Sequence, residues 1–288
     1  MAPTRRFNSR SSAQDVVKGM DLKDKTIAIT GTTSGIGWLS WACLPDANID
    51  IVQCDLKSLA SVKRAAGEYI EKGWPLHVLI LNAGIVGVQD PDRTVDGYET
   101  TFAVNHLAQF YLTQLLLDVI LRSTPARIVV VSSESHRRGP GIAKNIQLDQ
   151  LTPELLTTPL GTGMMNAMTH YGKSKICNVW FANALDRRYK DKGIRAVSLH
   201  PGAMIPTNIA KDWWSRLATW FGKPFTKSLS QGASTTVFCA VDPVIDEICD
   251  DARYYIDCWH TPAHRLADDV SLQDKLWTIS EQLIKDKV

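Results

Sequence analysis

The sequence holds no C-x-x-C pair, and its six cysteines (Cys43, Cys54, Cys177, Cys239, Cys249, Cys258) are scattered over 288 residues. That spacing excludes a dense disulfide framework and the common zinc-binding patterns. No excess of one charge is present: 32 Lys and Arg stand against 30 Asp and Glu, a formal net charge of +2. So balanced a chain carries no electrostatic footprint for DNA, RNA or an acidic membrane, and no nucleic-acid partner is expected. Long apolar runs are missing too. The best, Leu76 to Val88, has 13 residues and is interrupted by Asn82, Gly84 and Gly87, too short for a transmembrane segment. The seven histidines (His77, His106, His136, His170, His200, His260, His264) form no H-E-x-x-H and no close pair, which argues against a metal site. A G-x-S-x-G nucleophile elbow is absent, because between Gly31 and Gly35 the serine falls one place late, at Ser34. Repeats and low-complexity segments are also lacking. With 44% apolar and 22% charged residues, the chain reads as a soluble, cytoplasmic, globular enzyme.

Residues 1–20 form an N-terminal lead-in. Arg5, Arg6 and Arg10 occur with no acid before Asp15, and without an apolar core this is no secretory signal. A disordered lead-in is expected, with a mitochondrial presequence as the alternative.

What the rest of the chain does have is alternation. Short apolar runs, Thr26–Thr30, Ile49–Cys54, His77–Leu81, Arg127–Ser132, Ile194–Leu199 and Arg253–Ile256, are each followed by enough chain for a helix. Long helical patterns occupy Val95–Leu121 and Tyr171–Lys190. Near-continuous apolar strands separated by helices predict βαβ units and a parallel sheet buried on both faces. Residues 21–288 are therefore read as a single α/β domain, a Rossmann-like doubly wound parallel sheet.

The first strand runs into Thr30-Gly31-Thr32-Thr33-Ser34-Gly35-Ile36-Gly37. A glycine-rich turn between strand and helix lets backbone N–H groups approach a pyrophosphate at the helix start. A tight turn needs glycine anyway, so the loop alone is a modest signal. Tyr171 and Lys175 lie four residues apart, on one helical face, where an ammonium lowers the phenol pKa and makes it a usable acid or base. Ser133 closes a strand at the carboxyl edge where such sheets bind ligands, although a helix-capping serine would look the same.

In combination these features resemble the short-chain dehydrogenase/reductase family. The resemblance rests on Thr30–Gly37, Asn82-Ala83-Gly84, Asn105, Ser132-Ser133 and Tyr171-Gly172-Lys173-Ser174-Lys175, and runs from about Asp21 to the end. Pro125–His136, Val104–Leu107, Phe110–Leu112, His200-Pro201-Gly202 and Pro224–Ser228 are similar to the branch of WW domain-containing and retinol-dehydrogenase-like oxidoreductases. The resemblance implies hydride transfer between a nicotinamide cofactor, NADP(H) by default with NAD(H) as the alternative, and an alcohol or carbonyl of an apolar small molecule. Tyr171 would be the acid/base, Lys175 would lower its pKa and hold the ribose, Ser133 would steady the substrate oxygen, and Asn105 would support a water path to the lysine. Gly31, Ser34, Gly35, Ile36, Gly37, Asn82, Ala83, Gly84, Pro201, Gly202 and Thr207 would line the cofactor, with Asp55 against adenine.

One stretch departs from the pattern. Only 30 residues separate Thr26 from Asp55 inclusive, room for one strand–helix–strand unit where the family has strand, helix, strand, helix, strand. A strand–helix unit is expected to be missing after Gly37, and with it the residue that distinguishes NAD from NADP. If the run Ile49–Cys54 takes the vacant place beside the first strand, Asp55 reads the ribose and NAD is preferred. If it keeps its own place, both cofactors bind poorly. A weakly binding, inactive Rossmann-type scaffold is thus the competing function. Trp213, Trp214, Leu217, Trp220 and Phe221 recur at helical spacing within a candidate substrate lid, 203–228, with packing against the core and contact with a membrane surface as the alternatives. His170 reads as a solvated residue at a helix start. Apolar residues on several sides of both long helices (Phe102, Val104, Leu107, Phe110, Leu115, Leu116; Val179, Trp180, Phe181, Leu185) predict a homodimer or homotetramer.

Overall fold

The computed structural model describes residues 4–33, 37, 43, 47–87, 93–139, 150–202, 227–247 and 254–288. Within them lies one six-stranded sheet: β1 (Ile27–Ile29), β2 (Val78–Leu81), β3 (Ala126–Val131), β4 (Ile194–His200), β5 (Tyr254–Ile256) and β6 (Trp259–His260). They are paired in that order. The first five strands are mutually parallel and β6 is antiparallel to β5.

Alternation along each strand feeds two cores. In β2, Val78 and Ile80 face one cluster, while Leu79 and Leu81 face the other. β3 repeats the pattern, with Val129 and Val131 opposite Ile128 and Val130. This period of two is why the strands read as unbroken apolar runs: both faces are covered. Helices α2 (Leu59–Glu71), α3 (Ala108–Arg122), α4 (Met164–Tyr189) and α6 (Val270–Lys285) contribute to the first core. Helices α1 (Ala13–Val17) and α5 (Leu229–Val241) contribute to the second. The architecture is Rossmann-like.

Five of the expected strands form, shifted at their ends by a residue or two. The sixth, Ile49–Cys54, does not: residues 47–55 belong to no strand, and Ile49 and Ile51 are 49% and 83% exposed. A β-prone run becomes a strand when a ladder accepts it and its side chains are covered, and neither condition is met here. Among the described residues β1 pairs with β2 alone, so Asp55 does not end a strand placed beside it. The unforeseen β6 closes a hairpin through Asp257 (φ 53°) and Cys258 (φ 56°), two left-handed positions of the kind hairpins favour. They lack the usual Asn-Gly or Asp-Gly signal.

Over residues 4–20 the lead-in is ordered against the domain rather than disordered. Ser12 and Asp15 form a reciprocal cap at the start of α1, and Ala13 and Val16 are buried against α5. Phe7 sets its ring edge-on to Phe238 at 6.1 Å, and Arg6 pairs with the buried Asp242 at 2.6 Å.

The apolar excess on the two long helices is absorbed inside the chain. Phe102, Leu107, Phe110, Leu116, Val179, Trp180, Phe181 and Leu185 are all buried in one core, with Leu115 packed against it. These residues therefore supply no argument for a homo-oligomer. Among the described residues no helix is long and apolar enough to cross a membrane.

Candidate active site

Thr30, just past β1, is the first anchor. Its hydroxyl accepts the backbone N–H of Asn82 and of Ala83, both at 3.0 Å, and donates to Gln109 Oε1 at 2.9 Å. Asn82 returns the contact, Nδ2 donating to the Thr30 carbonyl at 2.9 Å. Gly31 follows with φ +72°, and a Cβ there would lie 2.9 Å from Ala83 Cα. Only glycine allows this approach. Ser34, Gly35 and Ile36 lie outside the described residues. Gly37 is placed against the Gly31 carbonyl and Asn82 Nδ2, where a Cβ would overlap both.

Asn105 sits in a π-helical turn, Ala103–Leu107, interposed between the short helical turn Thr100–Phe102 and α3. Such turns widen a helix by one residue and recur at functional sites. The Glu99 carboxylate fixes the start of this region, accepting the N–H groups of Thr101 and Phe102 at 2.7 Å each. The buried Asn105 side chain accepts from Ile85 N (2.8 Å) and donates to Ile85 O (3.0 Å) and Ser174 Oγ (2.9 Å).

Helix α4 carries Tyr171 and Lys175 in its interior, since it begins at Met164 rather than at Tyr171. Lys175 is buried, its Nζ donating to the Val131 carbonyl at 2.9 Å and lying 5.4 Å from the Tyr171 ring centroid. Burial drives its pKa down to about 7. Burial also raises the Tyr171 pKa, against which a hydrogen bond with Ser133 acts to lower it. Desolvation is thus the leading influence on both groups, and the one opposing it at Tyr171 comes from Ser133.

Ser133 lies just beyond β3. Its hydroxyl accepts the Ser135 N–H at 3.2 Å, so it also steadies the following turn, Ser135–Arg138. Ser132 donates to the Lys175 carbonyl at 2.7 Å, fastening β3 to α4. Gly84 brings the segment after β2 over this group: a Cβ there would be 3.2 Å from Lys175 Nζ and 3.5 Å from Asn105 Oδ1. Ser133, Tyr171, Lys175, Asn105 and Gly84 thus converge at the carboxyl ends of β2 and β3, with Gly31, Asn82 and Ala83 alongside.

Other expected positions fall elsewhere. Asp55 is exposed, and its Oδ1 accepts the Lys57 N–H at 3.0 Å in the turn leading to α2. Pro201 and Gly202 follow β4, and Gly202 (φ +127°) packs against the Lys227 stem. Thr207 and residues 203–226 of the expected lid lie outside the described residues. His170 is buried rather than solvated. It accepts the Leu160 N–H at 3.0 Å, and burial lowers its pKa to about 4. Gln109, Ser174 and the Thr30 hydroxyl are site residues the sequence reading passed over. Thr30 and Ser174 stand inside the quoted motifs, but nothing in the sequence marks Gln109.

The family model described as short chain dehydrogenase matches residues 41–143. The chain is 37% identical over 316 residues to the WW domain-containing oxidoreductase of Gallus gallus, covering 99% of this chain and 74% of that protein. It is 30% identical over 240 residues to retinol dehydrogenase 12 of Mus musculus, covering 83% and 71% respectively. A solved structure of an uncharacterized protein from Mycobacterium paratuberculosis superposes with TM-score 0.66 at 26% identity, covering 94% of this chain and 97% of that one. An NADPH-bound carbonyl reductase from chicken fatty liver shares the fold at TM-score 0.56 and 20% identity, covering 83% and 98%. The chain belongs to the short-chain dehydrogenase family of oxidoreductases.

Proposed function

We propose that this chain transfers hydride between a nicotinamide cofactor and an alcohol or ketone of an apolar small molecule, with Tyr171 as the acid/base. The observation that carries this reading is the convergence of Tyr171, Ser133, Lys175 and Asn105 at the carboxyl ends of β2 and β3, with Lys175 and Asn105 buried and Lys175 Nζ 5.4 Å from the Tyr171 ring centroid. The close approaches at Gly31 and Gly37, where a Cβ would collide, and at Gly84, where it would crowd Lys175 Nζ at 3.2 Å, suit a backbone cradle for a dinucleotide. When bound there, the nicotinamide supplies or accepts the hydride.

The chain's own groups handle the proton. Tyr171 O–H donates to the substrate oxygen as negative charge develops on it. Ser133 Oγ–H donates to that same oxygen and so steadies it in front of the phenol. Lys175, whose pKa burial brings down to about 7, can exchange a proton at neutral pH beside the Tyr171 ring and would hold the nicotinamide ribose. Asn105 holds the Ile85 segment and Ser174, keeping the helix face of Lys175 in register. Ser133→Ala is expected to lower kcat by about a hundredfold, the usual cost of losing a donor to a developing oxyanion. A change under about threefold would reduce Ser133 to a capping role.

Cofactor preference and strength are where a second reading stands. The alignment with the chicken relative spans 316 residues against 288 in this chain, so that relative carries residues without counterparts here. The absence of a strand at 49–54 also leaves Asp55 in an exposed turn. Both support a chain one strand–helix unit short after Gly37, binding NAD and NADP weakly and without strong discrimination. Calorimetric titration with NADPH and NADH decides. Sub-micromolar NADPH binding defeats the weakened-binding reading, and no heat from either cofactor up to ~1 mM, the upper end of ordinary KM values, defeats the oxidoreductase reading.

A further inference from the structure

Gln109, in the first turn of α3, is almost fully buried, and each of its polar groups is used. Its Oε1 accepts the Thr30 hydroxyl at 2.9 Å, while Nε2 donates to the carbonyls of Ala83 at 3.0 Å and Asn105 at 2.8 Å. The amide can stand only one way round, since a flip would set its oxygen against two carbonyls and its nitrogen against the Thr30 proton. One side chain therefore ties three segments together: the end of β1, the Asn82–Gly84 segment after β2, and the π-helical turn that carries Asn105. Thr30 extends the link, because the hydroxyl that donates to Gln109 also accepts the N–H groups of Asn82 and Ala83.

We propose that Gln109 is a positioning residue that couples the glycine-loop side of the site to Asn105. Whatever orders Gly31 and Asn82, a cofactor included, then also orders the Asn105 side chain. Without the link, the π-helical turn and the Ala83 strand end settle independently. The catalytic consequence rests on the oxidoreductase reading above. The mechanical coupling does not.

The Ile85 N–H, held by Asn105 Oδ1 at 2.8 Å, reports the position of Asn105 without any turnover. Amide hydrogen exchange on the full chain without cofactor is the measurement. Gln109→Met keeps the length of the side chain and removes its hydrogen bonds. It is expected to raise exchange at Ile85 and Ala83 by about tenfold, leaving amides of β3 and β4 unchanged. Thr30→Val touches neither Ile85 nor Asn105, and it is expected to raise Ile85 exchange only while Gln109 is present, the non-additivity that defines coupling. In steady state Gln109→Met lowers kcat about tenfold or more with a smaller change in KM, as misplacement near the chemistry does. Unchanged Ile85 exchange, or a uniform rise over all amides, overturns the proposal. Should Gln109→Met fail to fold, Thr30→Val carries the same test from the other end of the link. A wild-type chain that binds neither cofactor overturns the oxidoreductase reading and leaves the exchange result intact, so the two failures are told apart.

Discussion

Tyr171→Phe is expected to remove turnover, by about 10² to 10⁴ in kcat, and to leave the fold standing. The ring stays, so its packing on α4 is kept, and the only group lost is the hydroxyl. Removing a phenol whose charged form is disfavoured by burial costs the folded state little. Circular dichroism and melting temperature should therefore match the parent while product formation stops. Retention of more than a few per cent of the parent rate would remove Tyr171 from the proton-donor role.

Lys175→Met should make the protein dead and more stable at once. An ordinary lysine titrates near 10.5, whereas burial holds Lys175 at about 7 in the folded chain. Below pH 7 both folded and unfolded chains carry this proton, and the full cost of a buried charge is felt. Between 7 and 10.5 the unfolded chain keeps a proton the folded chain has shed, so stability rises with pH at about 1.4 kcal/mol per unit. Methionine removes that cost while filling the space. The Val131 carbonyl is not orphaned, since Asn178 Nδ2 still donates to it at 3.1 Å. The variant is thus expected to melt several degrees above the parent at pH 6 to 7, with the gap closing by pH 10, while cofactor affinity and turnover both fall. Thermal melts across that pH range check the sign, and equal melting temperatures at pH 6 would show that the ammonium carries no burial cost.

The fold was readable where burial alone decides structure. β2, β3 and β4 are covered on both faces, and their sequences are rich in Val, Leu, Ile and Ala accordingly. The run Ile49–Cys54 is also largely apolar but belongs to no strand, and composition cannot say whether a neighbour exists. Of the candidate site, Tyr171 and Lys175 were legible from their spacing and Ser133 from its place at a strand end, whereas Asn105 was legible only through the family resemblance. Gln109 was not, since its role depends on Thr30 and Ala83, which are 79 and 26 residues away along the chain. His170 misled because a histidine at an expected helix start reads as solvated. The helix in fact starts earlier, and its interior takes the residue in. The electrostatic direction at Tyr171 was equally hidden, for sequence places a cation near the phenol but does not tell how much water is excluded from both.

The docking of the N-terminal segment has a practical side. Arg6 closes over Asp242, Phe7 meets Phe238, and Ala13 with Val16 completes the packing on α5. Trimming these residues as though they were a dispensable tail would open apolar surface and leave a buried carboxylate without its guanidinium, the same injury as a cavity cut from the interior. An affinity tag fused directly ahead of Arg5 would crowd that seam, whereas the C-terminal end, whose last residues are exposed, offers an attachment point that leaves the seam alone.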